Sequence, residues 1–168
     1  ESEMAAVMAE IGQADLSNLS KRFSEIGAAA GRLLAQPDGP RIAALSYPGW
    51  DTHRKQGLID GRLATLFTAL DTAIDAMHRE LQPVWQDTVI VIATEFGRAV
   101  AINGTEGTDH GTGTIAILLG GAVNGGRVIA DWPGLSQRSL LGARDLMPTT
   151  DLRAVLKGVA RDHLGVGE

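Results

Sequence analysis

The chain of 168 residues has no cysteine, so disulfides, thiolate metal sites and a cysteine nucleophile are all excluded. That absence fixes no cellular compartment. Basic charge is also scarce: Lys plus Arg number 15 against 20 for Asp plus Glu, for a net charge of −5. No basic block or basic-aromatic patch occurs, and the electrostatic footprint of a nucleic-acid binder is missing. No apolar run is long enough to span a bilayer. Also lacking are a Gly-x-Ser-x-Gly elbow, a Walker loop and a dinucleotide fingerprint. The sequence opens at Glu1 with neither an initiator Met nor a signal peptide, which fits a mature form or a piece of a longer chain.

What is present is an ordinary soluble composition, 44% apolar and 21% charged, in a length that suits one domain over residues 1–168. The organising stretch is Thr88-Val-Ile-Val-Ile-Ala-Thr-Glu95-Phe-Gly-Arg98. Its β-branched run is too short for a buried helix and predicts a strand buried on both faces, over 87–93. Upstream, Met4, Met8 and Ile11 have helical spacing. Leu16, Leu19, Phe23, Ile26, Ala30 and Leu33 then form a continuous apolar stripe, capped by Asp15 or Ser17 and ended by Pro37-Asp38-Gly39-Pro40. Ala28-Ala29-Ala30-Gly31 is a smooth face that admits a close neighbour.

Arg41–Tyr47 predicts a strand, and residues 58–81 a long helix ended by Pro83. Strand, long helix and strand in succession imply a parallel pair with a right-handed crossover. Residues 101–113 are expected as loop, 114–119 as a third strand, 127–130 as a short strand and the 150s as a closing helix capped by Thr149 or Thr150. The expected architecture is an α/β layer sandwich.

Three polar clusters fall in loops expected at one edge of the sheet: Asp51 with His53, Glu95 with Arg98, and Asp109 with His110. Carboxylates with neutral imidazoles suit a divalent metal such as zinc or manganese. Such an ion lowers the pKa of a bound water to about 7, or stabilises charge on a transferring phosphoryl or sulfuryl group. Arg98 can clamp two oxygens of that oxyanion. The alternatives are structural. Asp51 can close an Asx-turn, and Glu95 with Arg98 can be an ion pair at a strand end. His78 beside the apolar stripe reads as a surface residue, His163 as a cation favoured by a helix C-terminus, and Trp50 and Trp132 as core or rim packing.

Gly49-Trp-Asp-Thr-His53, Thr94-Glu-Phe-Gly-Arg98, Gly107-Thr-Asp-His-Gly111, Gly125-Gly-Arg127 and Asp131-Trp-Pro-Gly134 occur in that order. Together with Thr149–Leu156, they resemble the bacterial family catalogued as domain of unknown function 1501. The resemblance implies the alkaline phosphatase and sulfatase-like hydrolases: a three-layer α/β/α sandwich with a mostly parallel sheet, holding divalent metals (zinc, manganese or calcium) at one sheet edge. It further implies twin-arginine export to the periplasm and a phosphate or sulfate ester substrate, small-molecule or polysaccharide. By position, Asp51, His53, Asp109 and His110 resemble metal ligands, and Glu95 falls where those relatives place an Asp-His pair. The relatives' N-terminal half, with the first carboxylate and the Ser or Thr nucleophile, has no counterpart here, so a C-terminal portion prone to self-association is expected. The alternative is a degenerate, non-catalytic module serving binding or assembly in the cell envelope.

Overall fold

A computed structural model of the chain describes residues 18 and 20–167. The expectations for Met4, Met8, Ile11, Asp15, Leu16, Ser17 and Leu19 lie outside the described residues. The chain divides into two compact units, Glu1–Val84 and Trp85–Glu168.

In the first unit, helix α1 (20–34) packs on helix α2 (Arg62–Leu81). The apolar period predicted both, and the seam between them is made by small residues. Gly27, Ala30 and Gly31 are buried on α1, as are Ala69 and Ala73 on α2. A Cβ on Gly27 would stand 2.9 Å from the Ala73 carbonyl oxygen, and one on Gly31 would stand 2.8 Å from Glu80 Cβ. Arg32 Nη1 donates to Glu80 Oε1 at 2.9 Å along the same seam. The smooth face read at 28–31 therefore serves close approach, with Gly27 as its second member. Helix α2 starts at Arg62 rather than at 58, because Gly61 takes an extended positive-φ conformation (φ 107°, ψ −162°) that favours glycine and cannot continue a helix. Leu58 and Ile59 are left 79% and 96% exposed.

Four of the few aromatic residues form one array in this unit. Phe23 stacks on Tyr47 with centroids 4.0 Å apart, Tyr47 meets Trp50 edge-on at 5.9 Å, and Trp50 meets Phe67 edge-on at 5.0 Å. Each such pair contributes about 0.5–1.5 kcal/mol beyond its buried area. Burial pushes the Tyr47 phenol above its ordinary pKa.

The second unit contains two antiparallel ladders. Strand β1 (Ile90–Ile92) pairs with β4 (Ile117–Leu119), setting Ile90 opposite Leu119 and Ile92 opposite Ile117. Strand β2 (Gly97–Ile102) pairs with β3 (Thr108–Gly111). The loop between them turns on Asn103, whose Oδ1 accepts from the Thr105 and Gly107 backbone amides at 2.9 and 3.0 Å. Helix α3 (Leu152–Leu164) follows, ended by Gly165 in the left-handed conformation (φ 64°).

These ladders overturn the expected three-layer α/β/α sandwich with its mostly parallel sheet. Among the described residues the sheets are two-stranded and antiparallel. Arg41–Tyr47 joins neither of them, and Ile42 is 68% exposed. The parallel pair between that segment and 87–93 does not form; β1 takes β4 instead and is half-buried rather than enclosed. Residues 127–130 likewise form no strand, with Val128 93% exposed. A short β-branched run signals apolar surface and extended backbone, but it carries no information on the direction of its partner. The expected loop 101–113 is largely hairpin, because Asn103-Gly104 turns the chain back on itself.

Two consequences can be measured. Gly27→Val drives a branched side chain against the α2 backbone and should destabilise the chain by about 1–3 kcal/mol in denaturant unfolding. The second concerns the cap of α3, which is Asp151 rather than either threonine. Its Oδ1 accepts from the Arg153 amide at 2.9 Å, while the Arg153 guanidinium grips both carboxylate oxygens. That guanidinium first, and the amide second, hold the Asp151 carboxyl below its ordinary pKa. A depressed folded value means the cap acts fully above the ordinary carboxylate range and is lost as pH falls through the folded pKa. Amide exchange at Arg153 and Ala154 should accelerate in strongly acidic solution, and at neutral pH in Asp151→Ala.

Candidate metal centre

In the first unit, Gly49–His53 leaves the aromatic array with a fixed alternation. Trp50 is held among Tyr47 and Phe67, and Thr52 is only 2% exposed. Thr52 Oγ1 donates to Gln56 Oε1 at 2.7 Å, and its amide bonds the Trp50 carbonyl at 2.9 Å. Gly49 has φ 106°, a conformation that favours glycine, and its carbonyl accepts from Arg62 Nη2 at 3.4 Å. With residues 50 and 52 packed, the two between and after them face outward. Asp51 is exposed and His53 half-exposed, with His53 Nε2 3.0 Å from Asp51 Oδ1. Two donors bonded to one ion at about 2.0–2.1 Å stand about 3 Å apart, so the spacing and chemistry of this pair fit a divalent cation. The same contact also suits a carboxylate that orients an imidazole while the other ring nitrogen takes the ion.

In the second unit, the β2–β3 register places Gly97 opposite Gly111 and Arg98 opposite His110. A Cβ on Gly97 would lie 2.0 Å from the Gly113 carbonyl oxygen, and one on Gly111 would lie 2.5 Å from the Arg98 carbonyl carbon, so both positions require glycine. Arg98 and His110 share a face as directly opposed residues. Arg98 Nε donates to Thr108 Oγ1 at 3.0 Å. Phe96 is stacked on His110 with centroids 4.6 Å apart, and its ring also lies 5.6 Å from the Arg98 guanidinium carbon. Thr94 Oγ1 donates to the Phe96 carbonyl at 2.6 Å and fixes the approach to β2.

Side chains alternate along β3, so Asp109 and His110 point to opposite faces. Asp109 Oδ1 accepts from Asn103 Nδ2 at 2.8 Å, which ties it to the turn. Glu95 is exposed at the bend before β2. The structure thus joins Asp51 with His53, and Arg98 with His110, while Asp109 is turned away from its sequence neighbour. Asp51 and His110 are exposed and His53 is half-exposed; each offers a ligand atom of the kind a metal ion takes.

Sequence reading missed four contributors. Thr52 and Phe96 lay inside the recognised motifs but carry no metal-binding chemistry, so nothing marked them out. Arg144 and Asp145 lay in a segment expected as loop. Arg144 Nη2 donates to the His110 carbonyl at 3.0 Å, and Arg144 Nε lies 2.8 Å from Asp145 Oδ1. Asp145, 8% exposed, accepts from Thr112 Oγ1 at 3.2 Å. The segment also adds to the hairpin edge, since the Val100 amide donates to the Arg144 carbonyl at 3.1 Å. His78, with its Nε2 2.7 Å from Gln82 Nε2, and exposed His163 lie apart from these groups in sequence and hold no position in them. Trp50 packs as expected, whereas Trp132 is 60% exposed.

Thr52→Val keeps the volume of this buried side chain and deletes the Gln56 bond. It should cost about 1–3 kcal/mol in thermal or denaturant unfolding, and it should broaden the His53 ring resonances as the loop loosens.

No curated protein and no solved structure matches the chain. The profile of the family described as protein of unknown function, DUF1501, matches residues 1–167, and the chain belongs to that family.

Proposed function

We propose that the protein is a metal-dependent hydrolase of the phosphatase and sulfatase type, acting on phosphate or sulfate esters after export to the periplasm. The observation that carries this reading is the outward-facing Asp51–His53 pair, 3.0 Å apart and set on an aromatic and buried-threonine base. Within the first unit Asp51 and His53 are the ligands; within the second, His110 offers an exposed imidazole of the kind a metal takes. Asp109 is held by Asn103 on the other face of β3, and to act as a ligand it would have to release that amide. A zinc or manganese ion held by Asp51 and His53 would supply Lewis acidity and acidify a water toward neutral pH. Within the second unit Arg98 offers a guanidinium suited to an oxyanion, and its bond to Thr108 limits the freedom of that group. Glu95, exposed at the bend before β2, is a carboxylate of the kind that serves as a general base.

A second reading, a non-catalytic envelope module that works by association, draws on the exposed apolar side chains of Ile42 in the first unit and of Val128 and Ile129 in the second. The two readings part on a metal titration. Zn²⁺ or Mn²⁺ should bind the protein, and Asp51→Asn or His53→Ala should weaken binding by at least about tenfold while the fold persists. Turnover of aryl phosphate or aryl sulfate by the metal-loaded protein should fall in parallel. The resemblance puts the nucleophile outside the matched motifs, so metal affinity is the decisive readout. Equal affinity in wild type and both variants, together with concentration-dependent self-association in light scattering, would favour the module over the enzyme.

A further inference from the structure

We infer that Phe96 is a positioning residue, whose ring fixes the plane in which the His110 imidazole is presented. The two rings lie 25° from parallel with centroids 4.6 Å apart, within the range of offset stacking. This contact follows from the ladder. Arg98 is paired directly with His110, and Phe96, two residues before Arg98, returns to the same face beside the imidazole. The backbone leaves Phe96 little alternative: Thr94 Oγ1 bonds its carbonyl at 2.6 Å, and the next residue, Gly97, is packed against Gly113. An exposed histidine on a four-residue strand otherwise has free rotation about two side-chain bonds. A flat apolar wall removes part of that freedom through the face of the ring, not through a ring nitrogen. The same ring meets the Arg98 guanidinium, so one aromatic plate steadies both groups on this face.

The consequence for metal affinity rests on the reading of His110 as a ligand; the consequence for ring orientation does not. The test therefore has two arms, run on the whole chain as wild type, Phe96→Leu, Phe96→Ala and Phe96→Tyr. With ¹³C-labelled histidine, the His110 ring protons of the wild type should lie upfield through the ring current of Phe96. They should return to ordinary positions in Phe96→Leu and stay upfield in Phe96→Tyr. In Zn²⁺ titrations followed by competition with a chromophoric chelator, Phe96→Leu should lose about tenfold in affinity, with recovery in Phe96→Tyr. The leucine variant keeps apolar bulk at the site, so it guards against a fold lost in Phe96→Ala, with circular dichroism as the check. His110 resonances that do not move between wild type and folded Phe96→Leu would overturn the proposal. An affinity equal in those two proteins despite a moved resonance would count against His110 as a ligand and uphold Phe96 as the residue that orients its ring. A wild type that binds no Zn²⁺ would instead remove the ligand reading of His110 and leave the ring shift to decide whether Phe96 orients it.

Discussion

The close backbone contact of Gly97 with Gly113, and of Gly111 with Arg98, governs what the second unit can present. Without Cβ atoms there, β2 and β3 sit in a register that sets Arg98 against His110. That register assigns faces as well as neighbours. Phe96, Arg98, Thr108 and His110 gather on one side, and Asp109 is delivered to the other, where Asn103 holds it. The chemistry on each face thus follows from where glycine is tolerated. A one-residue slip would exchange the two faces and put the carboxylate where the imidazole stands.

The first unit reaches a comparable result by other means. Its Asp-x-His pair is aimed by packing rather than by a ladder, since Trp50 and Thr52 are taken inward and leave Asp51 and His53 outside. Concentrating four aromatics in one array gives a short, irregular segment the rigidity that strands would otherwise provide. Arg62 reaches back from the first turn of α2 to the Gly49 carbonyl, so the helix that follows the loop also restrains its start.

Much of this was legible in the sequence, and for unequal reasons. The helices declared themselves because a period of three to four residues is a strong pattern, and α1, α2 and α3 form close to where it lies. The apolar runs at 87–93 and 114–119 likewise marked β1 and β4. What those runs could not convey was pairing direction, which depends on partners distant in sequence; hence the parallel expectation failed and 41–47 has no strand partner among the described residues. In the polar clusters, residue chemistry was readable and side-chain direction was not. Asp109 and His110 look like one group in a string of letters, and only the strand beneath them separates the two. Asp145 escaped notice because its role depends on contacts with Thr112 and Ala99, far upstream.

The seam of α1 on α2 has a further implication. Where Gly27 and Gly31 bring one helix backbone onto the other, there is no room even for an added Cβ at either position. Hydrostatic compression unfolds proteins by abolishing internal voids. It therefore has little purchase on this helix pair, and under compression the first unit is expected to yield elsewhere before these two helices part.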